Sequence, residues 1–470
     1  MSLATKGRAS GLLFRQSTLV ALVIGALLVL GVLFGGATWQ GSPGDLYVLV
    51  PAVPALALVV YLHLLRPKLM LAPLLLVAAS FALAALQILP WPFAELPFAA
   101  QHARFAIEQL QVFGIDAPRT LSLVPDATLR VLLAFVPPAA VLLGVLLLPA
   151  AVRIRLAWVV IALAVLSGVL GLLQIGGGEE RNLSPYVSDS TQARGLFSNR
   201  NHFAALMVVG IALSGAALAA QLQRLLRAYQ PAREGPRLVA WTLAFLLLVV
   251  CAMVSRSRAG VVLGAVVVIV LFALVVFDAS QLTRGARRLF ALVAIATAVV
   301  ALQVGLWGVI ERFQADPFED GRIVVQRATL AAANDAAPFG TGLGSFRRIY
   351  EQREPADAVF NAYVNRAHND WLEFYLEAGW FGIALLGGWL IWWLGLVLRR
   401  SPGRPDDEPS GWPLMRRMAL VATVCLMLHS IVDFPLRTVA MASVMALLVG
   451  FASPPPRSAK LGIASQNAPG

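Results

Sequence analysis

The sequence is poor in charge. Only 13% of its 470 residues are Asp, Glu, Lys or Arg, where a soluble domain carries about 25%. That deficit excludes an ordinary soluble fold. Lysine is almost missing, with 3 Lys against 34 Arg. The two cysteines, Cys251 and Cys425, both lie inside apolar runs, so neither a disulfide framework nor a Cys/His metal spacing is expected. There is no internal repeat, no RNA-binding signature and no soluble basic segment. The net charge of +12 therefore does not point to nucleic acid. In a membrane protein such residues mark cytoplasmic connections. The longer connections contain no Asp-x-Asp pair, and neither a metal nor a cofactor is expected.

Apolar residues make up 59% of the chain, with a mean hydropathy of +0.77. They fall in blocks of roughly 18–23, enough to cross the ~30 Å hydrocarbon core as helices. Barrel strands would be shorter and would alternate in polarity. The fold class expected is an all-α polytopic membrane protein with about twelve transmembrane helices. Their spans are 16–37, 45–65, 69–90, 128–150, 155–175, 201–221, 238–254, 259–277, 289–310, 376–398, 417–434 and 438–452. The termini and alternate short connections carry 21 of the 37 basic residues, which puts both termini in the cytoplasm. The expected layout is a cytoplasmic N-terminus over 1–15, a membrane domain over 16–453 and a disordered Pro/Ser-rich cytoplasmic tail over 454–470. The first span lacks a small-residue cleavage site and reads as a retained helix.

Three outer segments are long: about 91–127, 176–200 and 311–375. The last lies between the ninth and tenth spans and is too long for a bare connection. It is expected to be partly helical, over Ile323–Asn334, and then turn-rich from Pro338 to Gly344. Gly340-Thr341-Gly342-Leu343-Gly344 is not a dinucleotide fingerprint, because no strand precedes it and its third glycine is misplaced.

Polar residues gather on the outer side in three clusters. Phe197-Ser198-Asn199-Arg200-Asn201-His202-Phe203 opens the sixth span. Ser255-Arg256-Ser257-Arg258-Ala259-Gly260 joins the seventh to the eighth. Gly321-Arg322 and His368-Asn369 bracket the large loop. Every basic residue assigned to this side is arginine, whose planar fork grips phosphate with two parallel hydrogen bonds. The bias is also explained by the composition of the whole chain. Helix N-termini favour anions as well. Asp370 and Glu373 fit a capping box, with Asp370 as N-cap. His368 then stands just before a helix, either as a general base or as a loop cap. His63 and His429 lie within spans and read as core or interfacial residues. Asp433 reads as a functional group, a cap or a partner for Arg437.

In this order and topology these stretches resemble the O-antigen ligase family, which includes membrane polymerases of surface polysaccharides. The resemblance rests on Gly195 to Ala204, Ser257-Arg258-Ala259-Gly260, Gly321-Arg322, Pro338 to Phe346, His368 to Glu373, and the pair Gly379 and Gly382. It covers residues 195–395, while earlier residues match only as a run of spans. It implies a metal-independent, inverting glycosyltransferase of the bacterial inner membrane with a periplasmic active site. The donor implied is a glycan on undecaprenyl diphosphate. The acceptor is lipid A core in a ligase and another lipid-linked repeat unit in a polymerase. The family's functional residues correspond to Arg258, Arg322 and His368, with His368 as base. Arg256 rivals Arg258, and Arg327 rivals Arg322. Arg256, Arg200, Asn201, His202, Arg327 and Asn369 are expected to touch substrate. The competing class is a transporter or flippase of lipid-linked glycan, although paired halves with broken helices are not evident in the sequence.

Overall fold

The computed structural model describes residues 3–39, 41–65, 71–91, 120–176, 192–227, 231–278, 317–355, 364–398 and 409–456, with isolated residues between. Among them every extended element of regular structure is a helix. The order is α1 (Leu3–Phe34), α2 (Pro43–Leu64), α3 (Leu71–Ile88), α4 (Pro125–Ala134), α5 (Val136–Leu146), α6 (Ala150–Gly176), α7 (Arg200–Arg227), α8 (Pro231–Val254) and α9 (Arg258–Asp278). It continues with α10 (Pro317–Asp335), α11 (Phe346–Arg353), α12 (Asp370–Leu398), α13 (Trp412–Val432), a 3-10 turn (Pro435–Arg437) and α14 (Val439–Gly450).

Ten helical segments are long and apolar enough to cross a membrane, α4 and α5 together making one of them. They correspond to ten of the twelve expected spans. The ninth, 289–310, falls outside the described residues. At the twelfth stands α14, with 12 residues. At 1.5 Å per residue it is ~18 Å long, shorter than the hydrocarbon core.

The central helix is α7, buried nearly all round. Its small residues allow this. A Cβ on Gly210 would press on Ala164 of α6 and Leu248 of α8, the close approach that small residues permit between membrane helices. Helices α6, α8, α9 and α13 surround it. A second group, α1, α2, α5 and α14, packs beside it, and α3 and α12 lie against each other.

Two features do not follow from apolar spans. The side chain of Arg153 is completely buried and bonds the backbone carbonyls of Leu146, Leu148, Gly450 and Ser453. It satisfies helix-end acceptors, so a residue counted as a loop charge is an internal clamp. The second is a break in α12 at Gly379 (φ 59, ψ −153). The Pro338–Gly344 turn fills that break. Thr341 N–H donates to Leu376 O and Gly342 N–H to Glu377 O, both at 2.9 Å, and Trp380 N–H donates to Pro338 O at 2.9 Å. Gln87 of α3 completes the joint. Its amide donates to Glu377 O and its carbonyl accepts from Leu343 N–H, each at 2.9 Å. Irregular backbone is tolerated at membrane depth only when so satisfied. A Cβ on Gly379 would overlap the Pro338 carbonyl. The glycines singled out in the sequence therefore build a joint that positions the start of α12.

Candidate functional site

Three helices begin with the same pattern, a short polar cap followed by a charged first residue. Asn199 caps α7, its Oδ1 accepting Asn201 N–H at 2.8 Å. Ser257 caps α9, its Oγ accepting Gly260 N–H at 3.3 Å. Asn369 caps α12, its Oδ1 accepting Trp371 and Leu372 N–H at 3.1 Å each. Such caps satisfy amides that a helix end leaves free. They leave Arg200, Arg258 and Asp370 as first helical residues.

The expected capping box is therefore shifted by one residue. Asn369, not Asp370, is the cap, and its carbonyl oxygen is committed to α12. Asp370 is buried, accepting Leu436 N–H at 3.3 Å and standing 3.4 Å from Arg437. Glu373 still reaches back beyond the helix start. It accepts Ala367 N–H at 2.9 Å and pairs with Arg366 at 2.8 Å.

The three N-termini share one locus. A Cβ on Gly260 of α9 would press on Ala204 of α7, so the first turns of those helices touch. His202, in the first turn of α7, meets the Phe434 ring edge-on at 4.9 Å between centroids, and His368 meets the same ring at 5.2 Å. Phe434 thus stands between the two imidazoles. Behind it Asp433, 1% exposed, brings Oδ1 to 3.5 Å from His368 Nδ1. Burial on its own would raise the pKa of Asp433. The contact with His368 and the histidines His202 and His429 hold it well below the usual carboxylate range.

Helix α10 reaches the same place. Gln326 donates to the backbone carbonyl of His368 at 3.4 Å. Arg322 lies one turn earlier on that face, since residues four apart stack on a helix, and it is half-buried. Arg327 points elsewhere and is exposed. Arg256 is likewise exposed, in a left-handed turn with φ 54, while Arg258, Arg200 and Asn201 are half-buried. His202 is completely buried. It backs the site and does not line its open side. His63 is a core residue, its Nε2 at 2.9 Å from Leu143 O.

A buried ionic network supports this end of α12. Arg437 bonds Glu377 at 2.6 Å and stands 3.6 Å from Glu373. Burial works against its charge, but Glu377, Glu373 and Asp370 hold its pKa above the ordinary guanidinium value. Arg437 therefore pairs with α12, and Asp433 faces His368. The signal for this network was in the sequence. Asp370, Glu373 and Glu377 are spaced i, i+3, i+7, one stripe of a membrane helix, where ionisable residues are rare unless paired or functional.

Residues 243–387 match the family model described as O-Antigen ligase. The match runs from α8 into α12 and includes Arg256, Arg258, Arg322, Arg327, His368 and Asn369. Asp433 and the Arg200–His202 turn lie outside it. No curated protein matches the chain. Part of this locus thus falls in a segment, residues 243–387, that is similar to O-antigen ligases, set in a chain with ten helical segments apolar and long enough to cross a membrane among the described residues.

Proposed function

We propose that the chain is a periplasm-facing glycosyltransferase of the inner membrane that moves a glycan from undecaprenyl diphosphate to an acceptor hydroxyl. The similarity of residues 243–387 to O-antigen ligases supports a ligase- or polymerase-like role. The observation that carries the finer reading is the setting of His368. Its Nδ1 lies 3.5 Å from a buried carboxylate oxygen, and its side chain remains 24% exposed. That leaves Nε2 as the nitrogen available to a substrate. A histidine oriented by a carboxylate and open on its other edge is the arrangement of a general base.

In this reading His368 Nε2 takes the proton of the acceptor hydroxyl as its oxygen attacks the anomeric carbon. The sugar–phosphate bond breaks and the electron pair stays on the diphosphate. Arg258 and Arg322 grip that developing charge in a preorganised way. Asp433 holds the imidazole and stabilises the imidazolium that forms. Attack opposite the leaving group inverts the anomeric centre. With arginines supplying the positive charge, and no Asp-x-Asp pair in the longer connections, the reaction proceeds without a metal.

The test is to incubate the purified protein, in EDTA, with a lipid-linked glycan and each acceptor type. A ladder of lengthened lipid-linked chains identifies a polymerase. A single addition to lipid A core identifies a ligase. Movement of the lipid-linked glycan across the bilayer without product would replace transfer by transport. Activity lost in EDTA and restored by magnesium or manganese would refute the arginine mechanism.

A further inference from the structure

Behind Asp433 lies a group of buried polar atoms that the reaction leaves idle. The two oxygens of Asp433 are not equivalent. Oδ1 accepts the Phe434 N–H at 3.0 Å and stands 3.5 Å from His368 Nδ1. Oδ2 is buried and has no hydrogen-bond partner among the described residues. The same holds for both ring nitrogens of His202 and both of His429, residues closed to solvent.

Two helices set this placement. His429 stands one turn before Asp433 on α13, and its carbonyl accepts the Asp433 N–H at 3.0 Å. His202 enters from the first turn of α7 and meets Phe434, the residue after Asp433, edge-on at 4.9 Å. Both imidazoles lie close enough to stabilise the Asp433 charge. An apolar interior would ordinarily hold Phe or Leu at such positions, because a buried polar atom without a partner costs free energy. Phe434 takes the edge of His202, but a ring face is a weak acceptor and does nothing for Oδ2. The needs are complementary. Each neutral imidazole has one N–H to give, and a carboxylate oxygen has lone pairs for both. Hydrogen bonds to an ionised oxygen are also the strong ones.

We propose that His202 and His429 are positioning residues that donate to Asp433 Oδ2 and so keep Oδ1 turned to His368 Nδ1. The inference rests on the transferase reading, in which His368 is the base, and adds two residues that act on it through Asp433. It separates the three histidines by role. His368 touches the acceptor, and the other two touch only the carboxylate. It also ties the orientation of the base to the helix start that carries Arg200 and Asn201.

The experiment is a mutant cycle on the full-length protein in proteoliposomes. His202→Phe and His429→Phe keep a buried ring and remove the N–H; Leu replaces Phe in a variant that does not insert. Asp433→Ala removes the shared acceptor. Single-turnover transfer of a radiolabelled lipid-linked glycan gives the rate. Each Phe variant should react about tenfold more slowly than wild type, as expected for loss of one hydrogen bond to a charged group, with the donor KM unchanged. In the Asp433→Ala protein neither substitution should lower the rate further. The better of His202→Asn and His202→Gln, each of which restores an N–H, should recover most of the lost rate. A second readout needs no turnover. Diethyl pyrocarbonate modifies neutral imidazole, and mass spectrometry follows the His368 peptide. A carboxylate on Nδ1–H raises the basicity of the other nitrogen, so modification of His368 should slow alike in both Phe variants and in Asp433→Ala. Phe variants with wild-type rates, or losses that persist at full size without Asp433, would overturn the proposal and leave two packing residues. A wild type that forms no product would sink the transferase reading. The modification rates then decide the positioning claim alone, and equal rates in wild type and both Phe variants would refute it.

Discussion

Replacing Asp433 by Asn removes the carboxylate behind His368 while keeping its shape. In the native protein Oδ1 stands 3.5 Å from His368 Nδ1. When His368 takes the acceptor proton, a unit positive charge forms at that distance from a buried anion. At an effective dielectric of about 20 the attraction is 332/(20 × 3.5), about 5 kcal/mol. His368 is partly exposed, so water and reorientation recover part of the loss. A remaining deficit of about 3–4 kcal/mol corresponds to roughly 10²–10³ in rate at ~1.4 kcal/mol per decade. The effect should fall on kcat with the donor KM nearly unchanged, because Asp433 faces the base and not the diphosphate. Single-turnover transfer to a saturating acceptor reads this directly. An Asp433→Asn protein that inserts normally and keeps more than half of wild-type turnover would refute the positioning argument.

Other outcomes follow from the same geometry. Lys at Arg258 or Arg322 keeps charge but loses the fork, so each Lys variant should turn over well below wild type and each Ala variant lower still. Rates equal to wild type for both Lys variants would remove forked recognition. Arg437→Ala leaves Glu377, Glu373 and Asp370 without their main partner and should cost about 3–5 kcal/mol, as breaking buried ion pairs does. By contrast Arg347→Ala, whose side chain is 58% exposed beside Glu351, should cost less than ~1 kcal/mol. Thermal unfolding in one detergent compares the two, and equal losses would contradict the assigned network. Because the folded-state pKa of Asp433 is depressed, its charge adds stability that is complete above the unfolded value near ~4 and is lost as pH falls below it. The Tm gap between wild type and Asp433→Asn should therefore stay constant above about pH 5 and narrow as pH falls from about 5 towards 2, and a widening gap would reverse that sign.

The membrane architecture was legible because 18–23-residue apolar blocks have few alternatives. Ten spans, the helix from Ile323 to Asn334 and the turn at Pro338–Gly344 all have counterparts in the structure. What the turn does was not legible. Its amides satisfy carbonyls some 35 residues away in α12, a pairing no local pattern reveals. His368 and Arg258 stood out because they sit beside helix starts, where caps and free amides have short sequence signatures. The sequence leaves Asp433 open between a functional group, a cap and a partner for Arg437, and its contact with His368 was not legible, since it arises only through the packing of α13 against α12. His429 reads as a core or interfacial residue and His202 as a substrate contact, and burial puts both behind the site: His202 is completely buried and His429 1% exposed. Asn369 and Asp370 exchanged roles for a simple reason. Either can cap a helix, and Arg437, 67 residues later, decides which one is drawn inward.

The most direct test of the central claim compares wild type with His368→Ala in proteoliposomes holding a radiolabelled lipid-linked glycan and its acceptor. Donor binding should be nearly unchanged in the variant, because the proposed mechanism assigns the diphosphate to Arg258 and Arg322 and not to His368. Product formation should fall by about 10²–10⁴, the range for removal of a general base. A His368→Ala protein that inserts normally and forms product at the wild-type rate would contradict the account, reducing His368 to a residue that merely precedes the cap of α12.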